Sequence, residues 1–343
     1  MKNIFVTGGA GFIGSAFVRH MAKTYPDYNI ITFDKLTYAG NLDNLLLVKN
    51  TGNHTFVQGD IADREAVRHV FEQYQVDTVV NFAAESHVDR SILDPNAFIM
   101  TDVMGVYTLL DEARKYGIGR FLQVSTDEVY GDVPEGYSTE EDRFLPNSPY
   151  AASKASGELM VRSYQITYGM DTVISRGSNT YGPYQYPEKI IPFFTTEAID
   201  DRPLPVYGDG KQTRDWLHVD DHARGVDLVL HKGTSGEAYN LAGEDLRFNI
   251  DVTHDILKLL DKPESLIRHV YDREGHDRRY AMSAEKSRTQ LGWERQYTFE
   301  KGLAETIAWY KENEWWWRKI KTGEYLEYYK QQYAARLAES EQK

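Results

Sequence analysis

Ile4-Phe5-Val6 runs directly into Thr7-Gly8-Gly9-Ala10-Gly11-Phe12-Ile13-Gly14: a β-branched run, a glycine-rich turn and the start of an apolar-periodic stretch. No other feature narrows the fold as far. A strand feeding a helix through glycines at 8, 11 and 14 lets backbone amides close on a pyrophosphate, whose charge the helix N-terminus stabilises. The pattern predicts a Rossmann-type unit with Gly8, Gly11, Phe12, Ile13 and Gly14 at a dinucleotide. An ordinary tight turn is the other reading of a lone glycine motif, and the residues that follow argue against it. About twenty positions beyond Gly14, a second β-branched run ends in Phe33-Asp34, where a carboxylate can accept both hydroxyl protons of the adenosine ribose. Its charge disfavours a 2′-phosphate, so NAD is expected rather than NADP, a preference that neighbouring Lys35 partly offsets. Asp60-Ile61, closing a third run, either flanks the adenine or forms a simple turn or helix cap.

Short β-branched runs alternate with helical patterns as far as Ser175, the sequence form of repeated βαβ units. Strands are predicted near 3–7, 29–33, 54–58, 77–82, 119–125 and 171–175, and helices near 12–23, 63–74, 95–115 and 148–168. The fold class is therefore α/β: a Rossmann-type doubly wound parallel sheet, with a smaller C-terminal α/β substrate-binding region. After Arg176, prolines at 183, 187, 192, 203 and 205 interrupt the alternation. Trp216 to Asn240 again reads as helix then strand, so the chain is expected to return to its first domain. An interleaved division follows, with 1–176 plus about 216–248 binding the dinucleotide and about 177–215 plus 249–343 binding substrate. Trp315 to Tyr333, with three consecutive tryptophans, reads as one docked amphipathic helix.

The 343 residues allow one large domain or two moderate ones. With no cysteine there is no disulfide, thiolate nucleophile or cysteine-ligated metal, which fits a reducing, cytoplasmic setting; no metal site is expected. Met1-Lys2 leads straight into the first strand with no secretory h-region, and no apolar run is long enough to span a membrane. A net charge of -13 repels polyanions, so no nucleic-acid partner is expected.

Tyr150-Ala151-Ala152-Ser153-Lys154 places a phenol and an ammonium at i and i+4, on one helix face. A nearby cation favours phenolate, so Tyr150 is expected to be drawn down toward working pH. Phe121 to Ser125 reads as a buried strand, and Ser125-Thr126-Asp127-Glu128 stands at its carboxyl end, where open α/β sheets bind ligands. Adjacent carboxylates in a partly dry pocket repel, so one pKa rises and the pair offers a protonated acid beside an ionised base. The structural alternative is that Asp127 and Glu128 cap the next turn.

The glycine turn, a Ser/Thr after a strand and Tyr-x-x-x-Lys together resemble the extended short-chain dehydrogenase/reductase family, and the match extends over nearly the whole chain. Thr126-Asp127-Glu128 is similar to the branch that dehydrates nucleotide-activated hexoses, with dTDP-glucose the expected substrate. The resemblance implies catalytic roles for Thr126, Asp127, Glu128, Tyr150 and Lys154. It adds Lys35, Leu36, Thr37, Ala83, Ala84, Thr101 and Thr180 to the cofactor contacts, along with Tyr150 and Lys154. It assigns Ser86, His87, Asn179, Glu188, Lys189, Ile190, Pro205, Tyr207, Arg214, Asn249, Arg273, His276 and Tyr280 to the substrate. His87 reads equally as a hydrogen-bonded core histidine, and Arg278-Arg279 as a solvated charge run. Members usually carry Cys-Ser-Asn-Asn-Tyr-Gly-Pro where this chain has Gly177-Ser178-Asn179-Thr180-Tyr181-Gly182-Pro183, a departure that bears on the nicotinamide contact rather than on the reaction class. A homodimer through the helices near 95–115 and 148–168 is also implied. Two other functions stay open here: a nucleotide-sugar 4-epimerase, which needs no extra acid and base, and a non-catalytic NAD-sensing protein, which would be free to lose Tyr150 or Lys154. The base is open too, since one methyl separates thymidine from uridine, worth about 1 to 3 kcal/mol in an apolar pocket.

Overall fold

In the computed structural model, which describes residues 1–340, the β-branched runs become a seven-stranded parallel sheet. Its strands are β1 (Asn3–Thr7), β2 (Asn29–Asp34), β3 (His54–Gln58), β4 (Thr78–Asn81), β5 (Arg120–Thr126), β6 (Thr172–Gly177) and, after a long excursion through three strands of a second lobe, β10 (Ala238–Leu241). The order β10-β6-β5-β4-β1-β2-β3 reverses direction between β1 and β4, the switch point at which such sheets bind nucleotides. Burial on both faces explains the near-continuous apolar strands.

Helices α1 (Phe12–Thr24), α2 (Arg64–Tyr74), α3 (Val88–Leu93), α4 (Pro95–Phe98), α5 (Val106–Lys115), α6 (Pro149–Tyr168), α7 (Ile190–Ile199) and α8 (Val219–Lys232) follow in chain order. One face of the sheet packs on α1 and α8 through Phe17, Met21, Val226 and Leu230, the other on α2, α5 and α6 through Phe71, Leu109, Leu110 and Val161. The long helix expected over 95–115 is interrupted by a π-turn at Ile99–Gly105, between α4 and α5. That turn buries Asp102 against α6, where a Cβ on Gly157 would come within 2.8 Å of the Asp102 carbonyl. Ser148 starts α6 by accepting from the Ala151 amide, Pro149 fits the first turn, and Gly169 ends it in the left-handed region.

The second lobe holds the sheet β11-β9-β7, made of β7 (Asn179–Tyr181), β9 (Thr213–His218) and β11 (Leu246–Phe248). Beside it β8 (Leu204–Tyr207) pairs with β12 (Ile267–Val270). Helices α9 (Asn249–Leu260) and α10 (Phe299–Glu312) close with α7 on a core of Phe193, Ile256, Leu303 and Ile307. Two expectations need correction. The stretch from Trp216 begins inside strand β9, not a helix, because Trp216 and Leu217 pack between layers. The single C-terminal helix is three pieces, α11 (Glu314–Ile320), α12 (Glu324–Tyr329) and a π-turn at Lys330–Ala334, broken at Gly323 with φ at +48°. Trp316 and Trp317 are buried while Trp315 is half exposed, and Trp316 Nε1 donates to Asn44 Oδ1 at 3.0 Å. Asn44 in turn donates to the carbonyl of Ala10, so the tryptophans brace the glycine turn from behind. Among the described residues no helix is long and apolar enough to cross a membrane.

Candidate active site

A cavity of about 410 Å³ runs from the glycine turn, past the carboxyl ends of β4 and β5, to β8 and the start of α9. At one end Gly8 turns with φ at +64°, and a Cβ there would meet the Ala83 amide at 2.5 Å. A Cβ on Gly14 would meet the Gly8 carbonyl at 2.2 Å, so only glycine lets the turn close on the first turn of α1. That helix starts at Gly11 with no side-chain cap. Asp34 ends β2, its carboxylate accepting from the amides of Ala10 at 3.0 Å and Leu36 at 2.8 Å, while burial raises its pKa. Lys35 turns away to pair with Asp60 at 2.7 Å and so does not offset Asp34 directly. The glycine cradle, the buried carboxylate and the lining by Ile61, Thr37, Ala83, Ala84 and Thr101 fit an adenine dinucleotide such as NAD. Leu36 departs from expectation. Its side chain packs against the core rather than lining the cavity, because φ at +58° turns the backbone so that its amide serves Asp34.

At the end of β5, Thr126 caps the short 3-10 turn Asp127–Tyr130, accepting from the Glu128 amide at 3.3 Å and donating to Asp127 Oδ1 at 3.1 Å. Both carboxylates cap nothing themselves; they face the cavity. Asp127 is 3% exposed, and its other oxygen, Oδ2, has no partner. Burial first, then Glu128 and Asp215, hold its carboxyl well above the usual range, which favours the protonated acid. Asp215, itself pushed up to about 6 by burial, stands behind it.

Tyr150 and Lys154 come to the same place from α6, both buried and both lining the cavity. The Tyr150 hydroxyl is hydrogen-bonded to Thr126, but its pKa is not drawn down as the spacing predicts. Burial first and then Glu128 push it well above the usual value. Lys154 instead donates to the Val124 carbonyl at 2.9 Å and, losing charge stability to burial, is supported by Asp102 and Glu158. Asp102, at about 6 through burial, is fixed by the Ser153 hydroxyl at 2.6 Å and the Glu85 amide at 3.0 Å.

The far end is lined by Ser86, His87, Asn179, Glu188, Lys189, Ile190, Pro205, Tyr207, Arg214, Asn249, Arg273 and His276. Asn179 Oδ1, Asn249 Oδ1, Gln212 Oε1 and Arg273 Nε are buried without partners, a donor and acceptor set suited to a polar ligand. Lys189 Nζ donates to the Ser86 carbonyl at 2.7 Å. Arg214 has its fork on the carbonyls of Thr213 and Asp277. His87 satisfies the core reading while lining the cavity, with Nε2 against the Glu188 carbonyl and Nδ1 against the Tyr328 hydroxyl, each at 3.3 Å. Glu188 is held by Arg90 at 3.1 Å and by the Tyr38 hydroxyl at 3.2 Å. Tyr280 is not among the lining residues; its ring lies 4.2 Å from the Arg214 guanidinium, behind the wall, and its hydroxyl stands 3.3 Å from Glu128 Oε2. Arg278 pairs with Asp209 at the surface, the solvated reading, whereas Arg279 is half-buried and donates to the Val133 and Gly136 carbonyls. Thr180 commits its hydroxyl to the Ser178 carbonyl and His222 Nδ1.

Sequence reasoning missed Glu85, Asp89, Gln185, Gln212, His222, Phe193 and Tyr333, which also line the cavity. Only Glu85 and Asp89 had a local signal, lying within the Ala83 to Arg90 segment. Burial first, then Asp102 and Glu188, push Glu85 up to about 7.

Comparison with known proteins bears on what such a cavity does. A family model described as GDP-mannose 4,6 dehydratase matches residues 5–306. The dTDP-glucose 4,6-dehydratase of Escherichia coli is 47% identical, over 94% of this chain and 97% of its own. The crystal structure of dTDP-glucose 4,6-dehydratase from Streptomyces venezuelae with NAD and TYD bound superposes with a TM-score of 0.90 at 48% identity, over 93% of this chain and 100% of that one. The UDP-glucose 4-epimerase of Thermotoga maritima is similar at TM-score 0.84 but 28% identity, over 90% of this chain and 99% of that one.

Proposed function

The chain belongs to the family of dTDP-glucose 4,6-dehydratases, and from that membership we propose that it converts dTDP-glucose to dTDP-4-keto-6-deoxyglucose and water while retaining one NAD. The observation that carries this reading is the buried pair Asp127 and Glu128 at the end of β5, where burial and the neighbouring carboxylates push Asp127 toward its protonated form. An epimerase on this scaffold has no step that uses such a pair, and the epimerase relative is the more distant in sequence.

When bound, NAD would supply reversible hydride transfer between C4 and C6 of the hexose, which keeps the reaction redox-neutral. Gly8, Gly11 and Gly14 would hold its pyrophosphate and Asp34 its adenosine ribose. Thr126 and Tyr150 hold the 4-hydroxyl, and Tyr150 takes its proton. In the resting protein Lys154 is held by the Val124 carbonyl with the Asp102 charge nearby, and it is the buried cation from which phenolate formation at Tyr150 would draw support as the proton leaves. A 4-ketone acidifies the C5 hydrogen, and Glu128 removes it. Asp127 gives its proton to the departing 6-hydroxyl, which leaves as water, and Glu128 returns a proton to C5. Lys189, Arg214 and Arg273 face the phosphates and nucleoside.

Three further readings belong to this proposal. The enzyme is a homodimer through α5, α6 and the π-turn between α4 and α5, where Ile99, Met100, Met104, Leu159 and Ile166 are exposed and the last of these is 63% accessible. It works in the cytoplasm, a reading supported by its cysteine-free composition. Residues 1–176 with about 216–248 bind NAD, and about 177–215 with 249–343 bind the nucleotide sugar. The decisive experiment incubates the purified protein with dTDP-glucose and no added NAD. A product lighter by one water supports the dehydratase; an unchanged mass with galactose formed installs the epimerase.

A further inference from the structure

Three residues around the end of β6 form a unit that the mechanism above does not use. Gly177 is the register partner of Thr126, one strand over from that hydroxyl, and the ring of His222 on α8 packs against it. A Cβ on Gly177 would come within 2.3 Å of His222 Cε1 and 2.7 Å of Nε2, so the imidazole has its place only because position 177 carries no side chain. Thr180, the middle residue of β7, meets the other nitrogen: its hydroxyl lies 2.8 Å from Nδ1 and 3.0 Å from the Ser178 carbonyl. Both positions at which this chain departs from Cys-Ser-Asn-Asn therefore touch the same ring.

These contacts fix the state of that ring. The Ser178 carbonyl can only accept, so the single Thr180 hydroxyl proton goes to it, and the Thr180 oxygen accepts from Nδ1–H. His222 is 1% exposed, and burial lowers its pKa to about 4, which favours the neutral imidazole. A neutral ring protonated on Nδ1 carries a lone pair on Nε2. That atom is buried without a partner, in a residue that lines the cavity. An orphaned acceptor at such a place calls for a donor from the ligand.

We propose that His222 Nε2 accepts an N–H from the carboxamide of the bound nicotinamide, with Gly177 making room for the ring and Thr180 holding its tautomer. Hydride transfer needs the nicotinamide near Tyr150, whose hydroxyl is bonded to Thr126, and the end of β6 borders that point through the Thr126 and Gly177 pairing. The carboxamide is the part of the dinucleotide that offers N–H donors there, and a neutral imidazole holds it without adding charge beside the redox ring. His222 is thus a binding residue, while Gly177 and Thr180 position it. The inference rests on the cofactor half of the proposed function and not on its sugar chemistry.

The test is equilibrium exchange on the full-length holoenzyme, with NAD competing against 3-acetylpyridine adenine dinucleotide. In that analogue a methyl ketone replaces the carboxamide, so the carbonyl stays and the N–H donors go. The bound dinucleotides are released and their ratio is read by mass spectrometry. Wild type should prefer NAD by about tenfold or more, the effect of leaving one buried acceptor unpaired. His222→Phe should bring the two to within about threefold of parity, and His222→Gln, which keeps an acceptor, should give an intermediate ratio. Gly177→Ala leaves every polar group in place and should also weaken the preference, by displacing the ring. A purely structural role for His222 would lower the affinity for both dinucleotides alike and leave their ratio unmoved. A wild type that takes up both equally overturns the proposal without any variant having to fold. So does an unchanged ratio in a folded His222→Phe, and a raised KM for dTDP-glucose in that case gives the acceptor to the sugar instead. A protein that holds NAD with the expected preference but does not turn over dTDP-glucose loses the dehydratase reading and keeps this one.

Discussion

Asp127→Asn should separate the two halves of the reaction. Burial, Glu128 and Asp215 all push the Asp127 carboxyl toward its neutral form, so an asparagine of nearly the same shape should change the charge of the pocket little. Its carbonyl oxygen can still accept from the Thr126 hydroxyl, now at 3.1 Å. Tyr150 therefore experiences the same field, and oxidation at C4 should stay within about threefold of wild type, since its own acid-base partner is untouched. Elimination loses its general acid, a loss of about 10² to 10⁴ in rate. Taking the middle of that range, about 10³ is roughly 4 kcal/mol on the barrier. Stability should move by less than about 1 kcal/mol, whereas removing an ionised Asp127 from beside Glu128 would stabilise the fold by several kcal/mol. A stopped-flow single turnover should show reduced nicotinamide accumulating, and borohydride quenching should trap a ketone that has not lost water. The acid must be protonated to act, so wild-type elimination falls as pH rises through the raised Asp127 pKa, and the variant lacks that limb. Equal slowing of oxidation and elimination, or a large gain in stability, would refute the reasoning.

Tyr150→Phe should reduce C4 oxidation by about 10² to 10⁴ while dTDP affinity is kept, checked by single-turnover absorbance and calorimetry. Asp34→Ala removes the carboxylate that two backbone amides hold in place for the ribose, and at about 1.5 to 3 kcal/mol per charge-assisted hydrogen bond the protein should purify largely free of NAD, read from its absorbance and by mass spectrometry of the released nucleotide. Leu159→Lys with Ile166→Lys, two exposed positions on one face of α6, should convert a dimer to a monomer by light scattering; an unchanged mass would place the interface elsewhere.

The parallel sheet was legible because each β-branched run and each helical period is local, and the glycine turn marks where the two meet. β9 was not, since Trp216 and Leu217 lead straight into α8 and the six residues of the strand, five of them buried, show no alternation to set against a helix. The break at Thr322-Gly323 was visible in the sequence but outweighed by the run of tryptophans and tyrosines. In the site, Thr126-Asp127-Glu128 and Tyr150 to Lys154 are contiguous motifs, so their residue types could be read together. The Tyr150 pKa could not, because its sign depends on burial and on where Lys154 finds its carbonyl. The network around Asp89 was hidden for a different reason: Tyr207 lies 118 residues from Asp89 and Gln332 lies 243 away, and no short-range pattern links them.

The place of β10 at the edge of the main sheet affects how the protein is made. Until residue 241 has been synthesised, β6 is the bare edge of a parallel sheet, and its sequence Thr172 to Gly177 carries one charge, Arg176. That guanidinium is already buried against Glu158 and Tyr130, but the Tyr130 hydroxyl finds its acceptor, Asn240 Oδ1, only when β10 arrives. At about 5 to 20 residues per second, the intervening excursion leaves an aggregation-prone edge open for several seconds on the ribosome. A chain cut after β6 would keep the glycine turn, the acids and the Tyr150-Lys154 pair in sequence, yet it would present a sticky edge and no second lobe.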